Sequence, residues 1–332
     1  VILNKIFNEN CLSGLKKLAD NSVDCCITSP PYYGLRDYGT KEQIGLEGTP
    51  ELFVSKLVEV FTEVRRVLKP TGTLWLNLGD SYAAAPKKIT AEQACRKSTL
   101  TGSKKNQAIA CKDQPNKITG DLKAKDLIGI PWMVAFALRS AGWYLRSDII
   151  WSKPNPMPES VNDRPTKAHE YIFLLSKNSK YYYDKEAIKT PAKYPGVAGM
   201  DSSGYKDAKK FNGKHSEKKR GHSKTHSGFN ETWDKMSKEE QMSMGANKRS
   251  VWEVPTSPFS EAHFATFPQD LIVDCIKAGC PEDGVVLDPF MGAGTTALVA
   301  RKLNRNYIGF ELNKDYLQIA EDRLKNELGM FI

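Results

Sequence analysis

VVLDPFMGAGTTALVARKLNRNYIGFEL, residues 285–312, is the stretch on which the fold turns. VVLD reads as a short buried strand, TTALVARKL has helical spacing, and NYIGFEL reads as a second strand. Two strands joined through a helix lie parallel, whereas an antiparallel pair needs only a tight turn. Between the first strand and the helix, Gly292, Gly294 and Ala297 satisfy the spacing G-x-G-x-x-G/A, and Glu311 closes the second strand 19 residues after Gly292. Glycines there let backbone approach a ligand, and the helix N-terminus with Thr295 and Thr296 offers donors to an anion. A carboxylate at the second strand end accepts from ribose hydroxyls. The stretch predicts a nucleoside-containing cofactor.

Two readings of that cofactor compete. A dinucleotide-binding domain normally continues through several further strand–helix units, yet 21 residues follow Glu311. The other strands must then come from earlier in the chain. Dinucleotide loops also admit a pyrophosphate, whereas Asp288 places a carboxylate just ahead of the glycines. That suits a cofactor with a cationic or hydrogen-bond-donor group. S-adenosylmethionine fits better, with its amine, sulfonium and ribose, and a carboxylate for the helix N-terminus.

The earlier sequence repeats the alternation. Val23–Thr28 reads as a buried strand stopped by Pro30 and Pro31, neither of which can donate to a ladder. PELFVSKLVEVFTEVRRVLKP (50–70) reads as a helix with Thr49 as N-cap and Pro50 at its first position, closed by KPTG. GTLWLNLGD (72–80) is the next strand and Gly129–Ser140 the next helix. WYLRSDIIW (143–151) and HEYIFLLSK (169–177) are two strands with no room for a helix between them. FPQDLIVDCIKAGC (267–280) and NKDYLQIAEDRLKNEL (313–328) are helical. Continuous apolar strands alternating with helices predict an α/β fold, its mostly parallel sheet covered on both faces and carrying one antiparallel hairpin. Trp143 and Trp151 are expected in the core, and Tyr181, Tyr182 and Tyr183 in a buried strand.

Composition bounds the partners. With 40% hydrophobic and 26% charged residues the chain is of ordinary globular type. Its longest uncharged apolar stretch, Leu127–Leu138, is 12 residues with Pro131 inside, well short of the ~20 a bilayer span needs. Seven cysteines form no CxxC pair, and no secretory signal opens the sequence, so reduced thiols and a cytoplasmic location are expected. The net charge of +9 is localised. Residues 83–125 hold ten Lys and Arg against three Asp and Glu, and residues 190–250 hold thirteen against seven. Both segments are polar and read as insertions that face a polyanion or are simply solvated. His215, His222 and His226 lie in the second without accompanying cysteines or spaced acids, so no metal site is expected.

Candidate chemistry gathers at strand ends: Ser29 after CCIT, Asp80 after LNLG, Asp288 after VVL and Glu311 after IGF. In open parallel sheets ligands bind beyond the carboxyl ends of the strands. TSPPY (28–32) and DPFMGAGTT (288–296) resemble the catalytic and cofactor motifs of amino-group DNA methyltransferases, with the catalytic motif first, as in the β-type order. The similarity extends through GTLWLNLGDSY (72–82), RSDIIWSKPNPMPES (146–160), RPTKAHEYIFLLSK (164–177), HFATFPQDLI (263–272) and YIGFEL (307–312). It implies a Rossmann-like S-adenosylmethionine-dependent methyltransferase fold with permuted motif order. Residues 1–184 would form the catalytic half with a basic insertion at 83–125, residues 185–260 a target-recognition region, and residues 261–332 the cofactor half. The resemblance places Thr266, Phe267, Asp288, Pro289 and Phe290 beside the cofactor with the glycine loop. Similar proteins often have Gly-Asp where this chain has Glu9-Asn10, so the expected adenine contact falls to Asn10.

The proline motif has a chemical reason. An exocyclic amine on a nucleobase is a poor nucleophile because its lone pair is delocalised into the ring. Acceptors on its two hydrogens, the Ser29 hydroxyl and the Pro30 carbonyl, favour a pyramidal nitrogen, and Pro30 and Pro31 fix that carbonyl. Tyr32 offers a ring face to the extruded base. SPPY resembles enzymes acting on cytosine N4, whereas DPPY or NPPY more often accompanies adenine N6, which stays open as the alternative. Serine is a weak base, so Asp80 is expected to help remove the proton. A catalytically silent DNA-binding module is the reading from another class. Double-stranded DNA is the expected substrate, contacted by Lys87, Lys88, Lys104, Lys105, Lys218, Lys219 and Arg220, with a nucleoid-associated location. Dimerisation is common in similar proteins, so a homodimer and a cognate restriction endonuclease enter as expectations, although no interface is legible in the sequence.

Overall fold

The computed structural model describes residues 2–35, 40, 42–84, 118–191, 237, 244–257 and 267–329. These fall into two compact units, residues 185–248 and the remainder. The larger unit is built on one eight-stranded sheet. In chain order its strands are β1 (Lys5–Phe7), β2 (Val23–Thr28), β3 (Leu68–Leu78), β4 (Tyr144–Ser152), β5 (His169–Ser176), β6 (Val251–Glu253), β7 (Val285–Asp288) and β8 (Asn306–Phe310). Across the sheet the order is β1-β8-β7-β2-β3-β5-β4-β6. The first five in that order are mutually parallel, and β5 runs antiparallel to both β3 and β4.

That order has one consequence for function. From β2 the chain winds one way to β3, and from β7 it winds the other way to β8. The carboxyl ends of β2 and β7 therefore flank the point where the winding reverses, and connections leaving it in opposite directions open a crevice. Both quoted motifs begin there.

Helices α1 (Cys11–Lys17), α2 (Pro50–Val67), α3 (Ile130–Ser140), α4 (Gln269–Gly279), α5 (Thr295–Lys302) and α6 (Lys314–Leu328) complete the unit. Helix α2 forms as its sequence dictates: the Thr49 side chain accepts from the Leu52 amide at 3.3 Å, and Pro50 takes the first turn. Its stripe of Phe53, Leu57, Val60, Phe61 and Val64 is buried against the sheet, α1 and α3. Along β2 all six residues are buried. Cys26 joins the α1–α3 core, and the alternate Cys25 faces α4, where its sulfur lies 3.5 Å from the Thr73 hydroxyl. Successive side chains of a strand point to opposite faces, and a strand covered on both is largely apolar; Asp24 is held by Lys69 Nζ at 2.8 Å and the Val285 amide at 2.9 Å.

Three details depart from the sequence reading. KPTG does not close α2 as a turn; β3 begins at Leu68 and the four residues sit in a bulge, where the β2 register jumps from Val23↔Leu68 to Cys25↔Thr73. A proline without an amide hydrogen is tolerated at such a bulge. Tyr181, Tyr182 and Tyr183 form no strand and are only partly buried, Tyr183 being 42% exposed and stacked on Trp75. Strand β6, inside the stretch assigned to target recognition, instead extends the main sheet by pairing parallel to β4. Trp143 and Trp151 are core residues, each 3% exposed.

Candidate active site

A cleft of about 440 Å³ opens at the reversal point. Ser29, Pro30, Pro31 and Tyr32 line it from the turn after β2, and Asp288, Pro289, Phe290, Gly292 and Thr295 from the turn after β7. Asn10, Phe267 and Glu311 complete the predicted set that reaches it. The two motifs, far apart in sequence, thus share one cavity.

A single carboxylate ties them together. Asp288 is 1% exposed. Its Oδ1 accepts from the Thr28 hydroxyl at 2.5 Å and from the Phe290 amide at 3.0 Å, and its Oδ2 accepts from the Thr296 hydroxyl at 2.6 Å. Thr28 is the last residue of β2, so the bond runs directly between the proline turn and the glycine turn. Burial raises the Asp288 pKa to about 6, with the three donors opposing that shift. Asp288, which still lines the cleft, therefore bonds Thr296, and Thr296 is fully buried where the sequence reading had its hydroxyl facing an anion.

The glycine turn is fixed from the next strand. Glu311 Oε2 accepts from the Gly292 amide and Oε1 from the Asn313 amide, each at 2.8 Å, and burial pushes the Glu311 carboxyl above its ordinary range. Each oxygen keeps a further lone pair for a ligand hydroxyl. Gly294 sits at φ +76°, and a Cβ there would fall 2.9 Å from the Ala320 Cβ. It is a glycine because α5 and α6 meet at that point. A Cβ at Gly292 would meet nothing nearer than 4.0 Å, so bare backbone is presented to open space beside the cleft. Thr295 accepts from Arg323 Nη1 at 2.9 Å.

Charge around the cleft decides between cofactors. Among the described lining residues, Glu9, Glu42, Glu47, Glu59, Asp288 and Glu311 face a single Lys56. A pyrophosphate would be repelled there, whereas a ligand carrying a sulfonium and an ammonium is attracted. The volume, the bare glycine backbone and a carboxylate at the second strand end fit S-adenosylmethionine.

Two predicted residues are placed differently. Asp80 follows β3 at the same rim but does not line the cleft. Its oxygens accept from the amides of Ser81 at 2.9 Å, Gly129 at 3.0 and 3.1 Å, and Ile130 at 3.1 Å, which caps the start of α3. Asn10 lines the cleft, but its Oδ1 caps α1 by accepting from Leu12 and Ser13, leaving its amide nitrogen for a ligand. Thr266, Lys87, Lys88, Lys104, Lys105, Lys218, Lys219, Arg220 and the three histidines lie outside the described residues. Among those described, no group of His, Cys, Asp and Glu could hold a metal, and no helix is long and apolar enough to cross a membrane. The Cys11 thiol borders the cleft, and burial pushes it up to about 12, far from a nucleophilic thiolate.

Sequence reasoning missed the partners of Tyr32. Its hydroxyl donates to Glu170 Oε2 at 2.5 Å and lies 3.3 Å from Asn77 Oδ1. Glu170 stands in HEYIF and Asn77 in LNLGD, both within segments that carry the resemblance, but nothing in their spacing points to a tyrosine so far away in sequence.

Residues 23–322 match the DNA methylase family model of N6/N4 methyltransferases. The type II methyltransferase M.Cfr9I of Citrobacter freundii is 44% identical over 322 residues, covering 97% of this chain and 88% of that protein. M.SmaI of Serratia marcescens is 42% identical over 320 residues, covering 96% and 90%. Among solved structures, the PvuII DNA methyltransferase (cytosine-N4-specific) aligns with a TM-score of 0.58 at 16% identity, covering 97% of this chain and 90% of that one. TTHA0409 of Thermus thermophilus, complexed with S-adenosyl-L-methionine, aligns with a TM-score of 0.55 at 21% identity, covering 97% and 93%.

Proposed function

The chain belongs to the N6/N4 DNA methylase family, an S-adenosylmethionine-dependent DNA methyltransferase, and from that premise we propose that it methylates the N4 amine of cytosine in duplex DNA. The observation that carries the reading is the shared cleft, with a serine-led proline turn on one wall and a glycine turn on the other, joined through Thr28 and Asp288. When bound, S-adenosylmethionine supplies an electrophilic methyl group on a sulfonium. Glu311 would hold its ribose, Asn10 its adenine, and Phe267 and Phe290 its apolar faces.

The chain's own residues do the rest. Tyr32 receives the flipped cytosine against its ring. The Ser29 hydroxyl oxygen and the Pro30 carbonyl each accept one amine hydrogen, which draws the nitrogen lone pair out of conjugation and aims it across the cleft. Pro31 keeps the carbonyl from rotating away. Once alkylated, the nitrogen is a strong acid, so a weak acceptor such as Ser29 or water takes its proton. Asp80, occupied by three backbone amides, then acts by holding α3 against the rim and not as a free base.

The basic segments, Lys87, Lys88, Lys104, Lys105, Lys218, Lys219 and Arg220 among them, would bind DNA phosphates, and the unit at 185–248 would read the sequence. A cognate endonuclease and a second copy of the chain are the companions this reading expects. Digesting methylated DNA to nucleosides tests it: N4-methylcytosine supports it, N6-methyladenine moves the target within the family, and absence of both rejects it. Ser29→Ala should lose methyl transfer while binding S-adenosylhomocysteine normally; full activity in that variant would refute the assigned role.

A further inference from the structure

Tyr32 sits in a turn beyond the last hydrogen-bonded residue of β2, so the sheet does not hold its ring. A platform for an extruded base must nevertheless be rigid, because a misplacement of about 1 Å can cost on the order of 100-fold in rate. We infer that Glu170, paired with Lys153 and flanked by Asn77, is the positioning residue that fixes the Tyr32 ring for the target base, and that Gly79 is the space the ring requires. The inference rests on the reading of Tyr32 given above.

Four observations carry it. The Tyr32 hydroxyl has one hydrogen, and of these two acceptors Glu170 Oε2 at 2.5 Å is far closer than Asn77 Oδ1 at 3.3 Å. Asn77 orients the same carboxylate: its Nδ2 donates to Glu170 Oε2 and to the Tyr171 carbonyl, both at 3.2 Å, and two acceptors on one nitrogen settle which end of the amide is which. Glu170 Oε1 is ion-paired with Lys153 Nζ, and the two side chains are only 14% and 17% exposed. Lys153 is itself held 4.2 Å over the Trp151 ring. Finally, a Cβ at Gly79 would lie 2.6 Å from the Tyr32 Cε2, so any other residue there displaces the ring.

The topology explains why the hairpin exists. Asn77 pairs with Ile172 across β3 and β5, and Trp151 pairs with Glu170 across β4 and β5. The antiparallel turnback delivers the start of β5, with Glu170, to the rim where parallel strands deliver their ends. A carboxylate thereby stands beside the proline turn without belonging to it. Hydrogen bonds to a charged group are roughly twice as strong as neutral ones, and this one is sheltered on three strands.

The test compares Glu170→Ala, Glu170→Gln, Tyr32→Phe and the double variant Glu170→Ala/Tyr32→Phe. It measures transfer of labelled methyl from S-adenosylmethionine to unmethylated plasmid DNA, alongside S-adenosylhomocysteine binding and thermal unfolding. Tyr32→Phe keeps the ring and removes only the hydroxyl. We expect Glu170→Ala and Tyr32→Phe each to lower kcat by about 10–100-fold, with the KM for DNA and S-adenosylhomocysteine affinity within about 2-fold of wild type. Glu170→Gln, which still offers an acceptor, should recover most of the rate. The double variant should be no slower than the worse single one, because both remove the same bond. Wild-type kcat in Glu170→Ala, or multiplied losses in the double variant, would overturn the inference. So would loss of S-adenosylhomocysteine binding in both Glu170 variants, which would mark the residue as part of the general scaffold. If the wild-type protein transfers no methyl group to DNA, the functional reading fails instead, and the two failures are told apart by that control.

Discussion

The glycine turn after β7 and the proline turn after β2 face the same cleft, yet they are held by different means. The glycine turn is secured from within its own strand–helix–strand unit, by Asp288 at its head and Glu311 at the next strand end. Asp288 is buried and Glu311 partly so, and both bond neutral hydroxyls and amides, with no cation paired to either among the described residues. The proline turn borrows its supports: Asp288 through Thr28, and Glu170 through Tyr32. Glu170 is ion-paired and lies on a strand of opposite direction. One turn is a local motif held largely by contacts within its own segment. The other is positioned by the tertiary structure.

The largest effect should come from removing the residue the two turns share. Asp288→Ala strands two threonine hydroxyls and one amide in the core, each costing about 1–3 kcal/mol. That is a large part of a typical stability of ~5–15 kcal/mol. Urea unfolding should show a much lower midpoint, and S-adenosylhomocysteine binding should be lost. Near wild-type stability would mean that Asp288 does not join the turns.

Acidity probes the same residue more gently. The Asp288 pKa of about 6 lies above the unfolded value, which is ~3.9 for an aspartate. Between those values the folded protein holds a proton that the unfolded chain has released. This group's contribution to stability therefore falls as pH rises from about 4 to about 6, and is level on either side. Two units correspond to at most ~3 kcal/mol. Asp288→Asn cannot titrate, so its stability relative to wild type should rise across that interval and then plateau. A constant difference from pH 4 to 7 would contradict the buried, raised carboxyl.

The contrast between the turns also explains what could be read in advance. The strand–glycine–helix–strand–acid order lies within residues 285–312, and spacing along the chain maps onto spacing in space when a unit folds on itself. Parallel strands, their covered faces and the common rim followed from it. The roles of Asp288, Thr296 and Asp80 did not, because a carboxylate at a strand end looks the same whether it meets a ligand or a backbone amide. Glu170 was invisible for another reason. Its partner Tyr32 is 138 positions away, and only the β3–β5–β4 registers bring them together. Strand β6 is three residues long, too short for its alternation to stand out.

Gly294→Ala presses on the local turn alone. The residue has φ +76° and would place its Cβ 2.9 Å from the Ala320 Cβ. Strain and overpacking of this kind cost about 1–3 kcal/mol. The start of α5 should shift, raising the KM for S-adenosylmethionine several-fold, while kcat at saturating cofactor stays near wild type. A fall in kcat without a rise in that KM would show that the glycine turn also sets the base side.

Gly79→Ala is the complementary and smaller perturbation. Gly79 belongs to neither turn, and a methyl group there meets the Tyr32 ring first, 2.6 Å from Cε2. The ring can yield by a fraction of an ångström because it ends in a hydrogen bond and not in a packed core, so stability should change little. The displacement is nevertheless directed at the atom group that would receive the base. A rate loss of about 10-fold, or ~1.4 kcal/mol of activation free energy, is expected, with S-adenosylhomocysteine affinity unchanged. Added to Tyr32→Phe, the alanine should cost less than it does alone, since a ring already released from Glu170 can move aside. An equal loss in both backgrounds would mean that Gly79 acts on the rim through Asp80 and α3, and the division of labour between the two turns would have to be redrawn.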